Sequence, residues 1–292
     1  VAYRGWENCL KLSNSVVSII VNPTYGGQIL YFGLDSRGDN ILWSDSVING
    51  WTVEDYIRTR RSPDAGRFDI GNERKTENIH DSIWAGPYQT FIEEGKLRLV
   101  SHPSKAMGIQ VERIYSLEEN QPVLHVKQRM SNISNTVVEY CFWTRTLLPA
   151  GGVYYCKAIP DSQYPLGFSE ISLSADTLIP SHHWQERVHV ENDYFTAFPG
   201  GDEQKKYGIN TTNGIYFYQF NDYLYIKQNK YIPHGKYDNN LQVCFPNMIY
   251  FNDNFLEMEP NSPMVRLKPG ETYEYEEIWT LRELNPIGDN TY

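Results

Sequence analysis

Glu257 and Glu259 lie two residues apart in Leu256-Glu-Met-Glu-Pro260. On an extended strand, side chains i and i+2 share a face, so these two carboxyls would meet. Enclosed together, like charges cannot both ionise freely and one pKa must rise, which suits general acid–base chemistry. The plainer alternative is two solvated acids on an outer face. Cations that could face them are Arg67, in Ala65-Gly-Arg-Phe68, and Arg145, in the largely apolar stretch Glu139–Leu147. Arg67 is a candidate for ligand contact; its alternative is a loop ion pair with Asp64 or Asp69, worth little. A buried Arg145 would need a partner, and Glu257 or Glu259 could serve. Trp143 and Trp84 offer faces for stacking on a flat, hydroxylated ligand, with core packing the alternative for Trp143. A proton donor near neutral pH could come from His182 in His182-His183-Trp184, His189, His234 in Tyr231-Ile-Pro-His-Gly-Lys-Tyr237, or His80, although loop histidines are commonly just solvated.

Other chemistries lack their signatures. Adjacent histidines on a strand point to opposite faces, so His182, His183 and His189 make a poor metal set. Pro199-Gly-Gly-Asp-Glu203 lacks the Lys-Ser/Thr and following helix of a phosphate loop, and no Gly-x-Ser-x-Gly elbow occurs. No cofactor or metal is expected. With 26 basic against 36 acidic residues the net charge is −10, which argues against nucleic acid and against an anionic membrane surface. No run approaches the ~18 apolar residues that span a bilayer, so no membrane insertion is expected. The four cysteines, Cys9, Cys141, Cys156 and Cys244, are scattered and read as buried thiols, with a Cys141–Cys156 bridge as the alternative.

The elements that must position these groups are strands. Period-two alternation marks Cys9–Val21 (two strands about Ser13-Asn-Ser15), Gln28–Gly33, Lys96–Val100, Gly108–Tyr115, Val123–Met130, Val137–Leu148, Gly214–Gln219, Tyr223–Lys227 and Thr272–Thr280. The 22 tyrosines suit strands as well as ligand-stacking surfaces. Only Ile48–Arg61 suggests a short helix. Strands at ~8–12-residue intervals, without a repeat, predict an all-β antiparallel sandwich, one domain over residues 1–292. Residues 49–90 and 157–213 read as long functional loops.

The C-terminal order is an acidic strand Asn254–Pro260, then Val265-Arg-Leu-Lys-Pro-Gly-Glu271, then the strand to Thr280. It resembles the closing segment of the galactose mutarotase-like superfamily, which includes aldose 1-epimerases. Asn22-Pro-Thr-Tyr-Gly-Gly27, Asp39-Asn-Ile-Leu-Trp43, Gly108–Tyr115 and Met130-Ser-Asn-Ile-Ser-Asn135 agree with it, as does Ala65-Gly-Arg-Phe68, where these proteins often carry a substrate arginine. The pattern is nearest to uncharacterised bacterial members. The resemblance implies a β-supersandwich of two large antiparallel sheets with a sugar-sized cleft. It also implies Glu257 as the general base that would take the anomeric proton, with Glu259 its neighbour. Epimerases of the family pair that Glu with a His acid. The matching strand here, Glu139-Tyr-Cys-Phe-Trp-Thr-Arg-Thr-Leu147, carries Trp143 and Arg145 and no His. The expected function is carbohydrate binding in sugar or polysaccharide metabolism, with a mono- or oligosaccharide as partner. The alternatives are an aldose 1-epimerase, a glycan hydrolase or lyase using Glu257, or a domain of a larger polysaccharide-processing assembly. A start at Val1 and the resemblance together suggest a trimmed, exported bacterial protein, periplasmic or extracellular.

Overall fold

The computed structural model describes residues 1–71, 73–76, 78–174, 177–179, 186–237 and 245–284. Alternation of apolar and polar residues builds most of the strands. In Ile109–Leu117 up to Tyr115, and throughout Val123–Asn132, every second side chain is buried. The first sheet runs β1 (Leu10–Ser13), β2 (Val17–Asn22), β3 (Gln28–Leu34), β4 (Gly66–Gly71), β9 (Val138–Pro149), β19 (Phe255–Pro260), β18 (Asn247–Phe251), β15 (Lys205–Ile209), β11 (Phe168–Ile171), β12 (Leu178–Ile179). β20 (Val265–Leu267) also pairs with β9. The second runs β13 (Val188–Glu191), β14 (Tyr194–Ala197), β10 (Val153–Lys157), β16 (Ile215–Phe220), β17 (Tyr223–Asn229), β21 (Thr272–Glu283), β8 (Val123–Asn132), β7 (Ile109–Leu117), β6 (Lys96–Ser101), β5 (Tyr88–Glu93). Every strand pairing among the described residues is antiparallel, as in an all-β sandwich.

The main core lies between the sheets. Trp279 of β21 meets Phe32 of β3 edge-on and Phe68 of β4 face-on, each with ring centroids 6.0 Å apart. Gly66 lies under that indole: an added Cβ would fall 2.9 Å from the ring, so a larger residue would push β4 off the core. Strand β9 serves both faces of its sheet. Phe142, Thr144, Thr146 and Leu148 alternate with Cys141, Trp143, Arg145 and Leu147.

The stretches expected as loops are only partly so. Residues 49–90 contain the helices α1 (Val53–Thr59), α2 (Glu73–Thr76) and α3 (Asp81–Trp84), and also β4, which pairs with β9 in the middle of the sheet. Every residue of β4 is buried, so it carries no polar–apolar alternation to read. Residues 157–213 hold β11 to β15, each five residues or shorter. The expected helix is α1, started by a Thr52–Asp55 capping box and stopped at Arg60 in the left-handed region. Cys141 and Cys156 belong to different sheets, and Cys156 is a free buried thiol pushed up to about 12 by burial, so the bridge between them is not made. Among the described residues no helix is long and apolar enough to cross a membrane.

Candidate functional site

Arg67 and Asp69 of β4, Trp143, Arg145 and Leu147 of β9, and Glu257 and Glu259 of β19 are each spaced by two, so each set projects from one side of its strand. Residues of opposite parity on the same strands, Phe68, Leu148 and Met258, enter the inter-sheet core instead. Register aligns the sets: Arg67 pairs with Arg145, Asp69 with Trp143, and Leu147 with Glu257. The result is a charged cluster on the outer face of the first sheet, at its three central neighbouring strands.

Arg67 Nη2 donates to Glu257 Oε1 at 3.0 Å, and Arg145 Nη1 stands 3.7 Å from Glu257 Oε2. Arg145 Nε donates to Asp69 Oδ2, and Arg67 Nε lies 3.6 Å from that same oxygen. Arg67 also donates to the carbonyl of Pro63. Trp143 Nε1 donates to Glu259 Oε2 at 2.7 Å, with Lys206 Nζ 3.8 Å from it. Arg67, Arg145 and Glu257 are 4%, 6% and 7% exposed, which leaves only their tips facing outward. Those tips line a cavity of about 330 Å³ together with Trp43, Arg61, Asp64, Lys206, Tyr250 and Phe255. Trp43 and Phe255 form a tilted pair with centroids 4.5 Å apart, an apolar wall opposite the charges.

Burial pushes the Glu257 carboxyl up, but Arg67, Arg145 and Lys206 outweigh it and hold the group below the ordinary carboxylate range. Burial pushes Glu259 up to about 6, with Lys206 opposing and Glu257 adding to the rise. Oε1 of Glu259 is buried without a hydrogen-bond partner among the described residues. The two acids act on each other's charge and share Lys206 and Arg145, so they titrate as a pair.

This has a consequence for stability. A carboxyl whose folded pKa lies above its unfolded value stabilises fully below the unfolded value, and that stability is lost as pH rises through the folded one. For Glu259 the window runs from 4.5 to about 6. Glu259→Gln, which cannot ionise, is therefore expected to gain about 2 kcal/mol on wild type between pH 4 and pH 7. Urea unfolding at the two pH values checks this; a constant gap contradicts it.

The structure brings Arg67, Arg145, Glu257 and Glu259 together. Trp143 joins them with no exposed surface, 4.0 Å beneath the Arg145 guanidinium. Trp84, 5% exposed, ends α3 behind both arginines, 4.7 Å from Arg145 and 5.5 Å from Arg67. These two indoles support the cations rather than line the cavity. His80 Nε2 meets Tyr56 Oη at 3.0 Å behind Trp84, and both side chains are buried. His234 is exposed on the loop after β17 and does not line the cavity. His189 lies in β13, at an edge of the other sheet. His182 and His183 fall outside the described residues. Sequence reasoning missed Asp69 as a site residue, and also Lys206, Trp43, Tyr250 and Phe255. Asp69 was within reach, being two residues from Arg67, once β4 is known to be a strand. Lys206 lies in a strand of five residues that carries no periodic signal.

A hollow of about 710 Å³ marks the outer face of the second sheet, between Ile114, His125, Lys127, Ile215, Gln228 and Ile278. Two of the charged residues lining it are paired, Lys127 with Glu274 and Glu276, and Glu277 with Lys227, and among the described residues no cluster of buried charges opens into it. The smaller cavity, where buried charges converge, is the better candidate site.

No protein-family model matches the sequence, and no curated protein matches it. Solved structures do. A galactose mutarotase-like protein from Lactobacillus casei aligns with TM-score 0.64 at 9% identity, over 94% of this chain and 100% of its own. A galactose mutarotase related enzyme from Lactobacillus acidophilus aligns with TM-score 0.62 at 10% identity, over 95% and 98%. A TPR-domain containing protein from Parabacteroides distasonis aligns with TM-score 0.64 at 14% identity, over 97% of this chain and 48% of its own. The protein therefore has the galactose mutarotase-like fold.

Proposed function

We propose that the protein binds a carbohydrate, one sugar unit seated in the cleft over β4, β9 and β19. The observation that carries this reading is the convergence of Arg67, Arg145 and Glu257 on one wall of a cavity of about 330 Å³. Vicinal hydroxyls are matched by paired guanidinium donors and carboxylate acceptors, and the C–H face of a pyranose by aromatic rings. Trp43, Tyr250 and Phe255 supply those rings. Structural neighbours named as galactose mutarotase-like support the same class of ligand.

A second reading is proton transfer at the anomeric carbon, as in an aldose 1-epimerase. It is favoured by the unequal protonation of Glu257 and Glu259. In it, Glu257 takes the anomeric hydroxyl proton, the ring C–O bond breaks to give the open-chain aldehyde, and the ring oxygen takes a proton. Reclosure on the other face returns both protons. A hydrolase or lyase would use the same carboxylate as base.

The test is a thermal-shift screen of monosaccharides. A sugar present at ten times its Kd is expected to add about 1.4 kcal/mol to the folded state. If no monosaccharide shifts the melting temperature at tens of millimolar, the binding reading fails.

A further inference from the structure

We infer that the sugar held in this cleft is an acidic one, a hexose carrying a carboxylate, and that Lys206 is the residue that anchors that carboxylate; the inference rests on the carbohydrate reading above. Each arginine of the cleft wall already donates to a carboxylate of the protein. Arg61 donates to Asp45, Arg67 donates to Glu257 at 3.0 Å, and Arg145 donates to Asp69. Lys206 differs. Its nearest carboxylate oxygen, Oε2 of Glu259, is 3.8 Å away and already accepts from Trp143 Nε1. Among the described residues the ammonium donates no hydrogen bond, though its side chain is only 12% exposed. It lies 5.3 Å from the Trp143 ring centroid, which helps hold its position. Glu259 partly balances the charge at 3.8 Å, but the ammonium N–H groups at the edge of the cavity make no hydrogen bond among the described residues, and a ligand carboxylate there would supply one.

The register sets the distance at which that anion would sit. Lys206 pairs with Tyr250, and Tyr250 with Glu257, so one cross-strand row runs from the ammonium over a phenol ring to the carboxylate. Two strand spacings separate the ends, about 9–10 Å between backbones, with two side chains reaching in. A pyranose laid over Tyr250 spans the remainder, with its anomeric oxygen at Glu257 and its C6 carboxylate at Lys206. One ammonium matches one unit of negative charge. A phosphate monoester, with close to two charges, would be left half-neutralised beside Glu257 and Asp64.

The test compares galactose with galacturonate, and glucose with glucuronate, by isothermal titration at one ionic strength, with the hexose 6-phosphates as a further arm. For at least one pair, the uronate is expected to bind about tenfold tighter than its neutral parent, ~1.4 kcal/mol. Lys206→Met is expected to erase that preference, the uronate then binding no tighter than its neutral parent whatever the variant's affinity for either, and Lys206→Arg to keep it. The wild-type comparison stands alone should Lys206→Met not fold. Neutral hexoses binding as tightly as uronates would overturn the inference and leave the carbohydrate reading intact. A 6-phosphate binding more tightly than the uronate would overturn the carboxylate assignment. If no sugar of any charge binds, both fall together.

Discussion

Lys227→Met is expected to lower the unfolding free energy by about 3–5 kcal/mol, because it leaves a buried carboxylate without its counter-charge. Lys227 and Glu277 have no exposed side-chain surface and stand 3.1 Å apart. Lys227 Nζ also donates to Thr146 Oγ1 at 2.9 Å and to Thr144 Oγ1 at 3.2 Å. Glu277 accepts from Trp279 Nε1 at 2.9 Å and from the Thr144 hydroxyl. Burial holds the Lys227 ammonium below the ordinary lysine range, against the pull of Glu277. The pair joins β17 and β21 of one sheet to β9 of the other, on the core side of the strand whose outer face carries Arg145. The double substitution Lys227→Met with Glu277→Leu removes both charges and is expected to recover most of the loss. Urea unfolding of wild type, the two single variants and the double variant measures the coupling. Additive single-variant costs would mean the pair does not act as a unit.

Glu257→Gln is expected to slow sugar anomer exchange at least ~10²-fold if the protein catalyses it, since an amide cannot accept the anomeric proton. Exchange NMR on mixed anomers reads the rate directly. The amide oxygen can still accept from Arg67, and Asp69 still accepts from Arg145, so circular dichroism is expected to show the variant folded at the assay temperature. A variant as fast as wild type would remove Glu257 from any catalytic role. Wild type with no acceleration over buffer would leave binding alone as the activity of the cleft.

Much of this architecture can be read from residue order, and the physical reason for what cannot is specific. Strands with one face in the core and one toward solvent show themselves by alternation, as β7 and β8 do. β4 does not, because Arg67 and Asp69 on its outer side are as buried as Phe68 and Ile70 on the inner. A strand buried on both faces by charged residues defeats a reading based on hydrophobic period. Arg67 therefore reads as a loop cation with Asp64 or Asp69 for a partner. In the fold it is a central-strand residue bonded to Glu257, 190 positions away, while also lying near Asp69. The acids and Arg145 were legible because ionisable groups within apolar strands need partners. Lys206 was not, since its importance comes from β15 being two strands from β19, which only topology reveals.

Trp43 provides the most direct test that this cleft is the binding site. It lines the cavity beside Phe255, whereas Trp279 is sealed between the sheets and Trp6 is stacked on Tyr25 outside the cavity. With 5-fluorotryptophan incorporated and the Trp43 resonance assigned by Trp43→Phe, titration with a monosaccharide found in the thermal screen is expected to move that resonance saturably. The Trp279 and Trp6 resonances should hold still. A sugar that binds yet moves either of them, with Trp43 unmoved, would place recognition elsewhere on the fold and contradict the account.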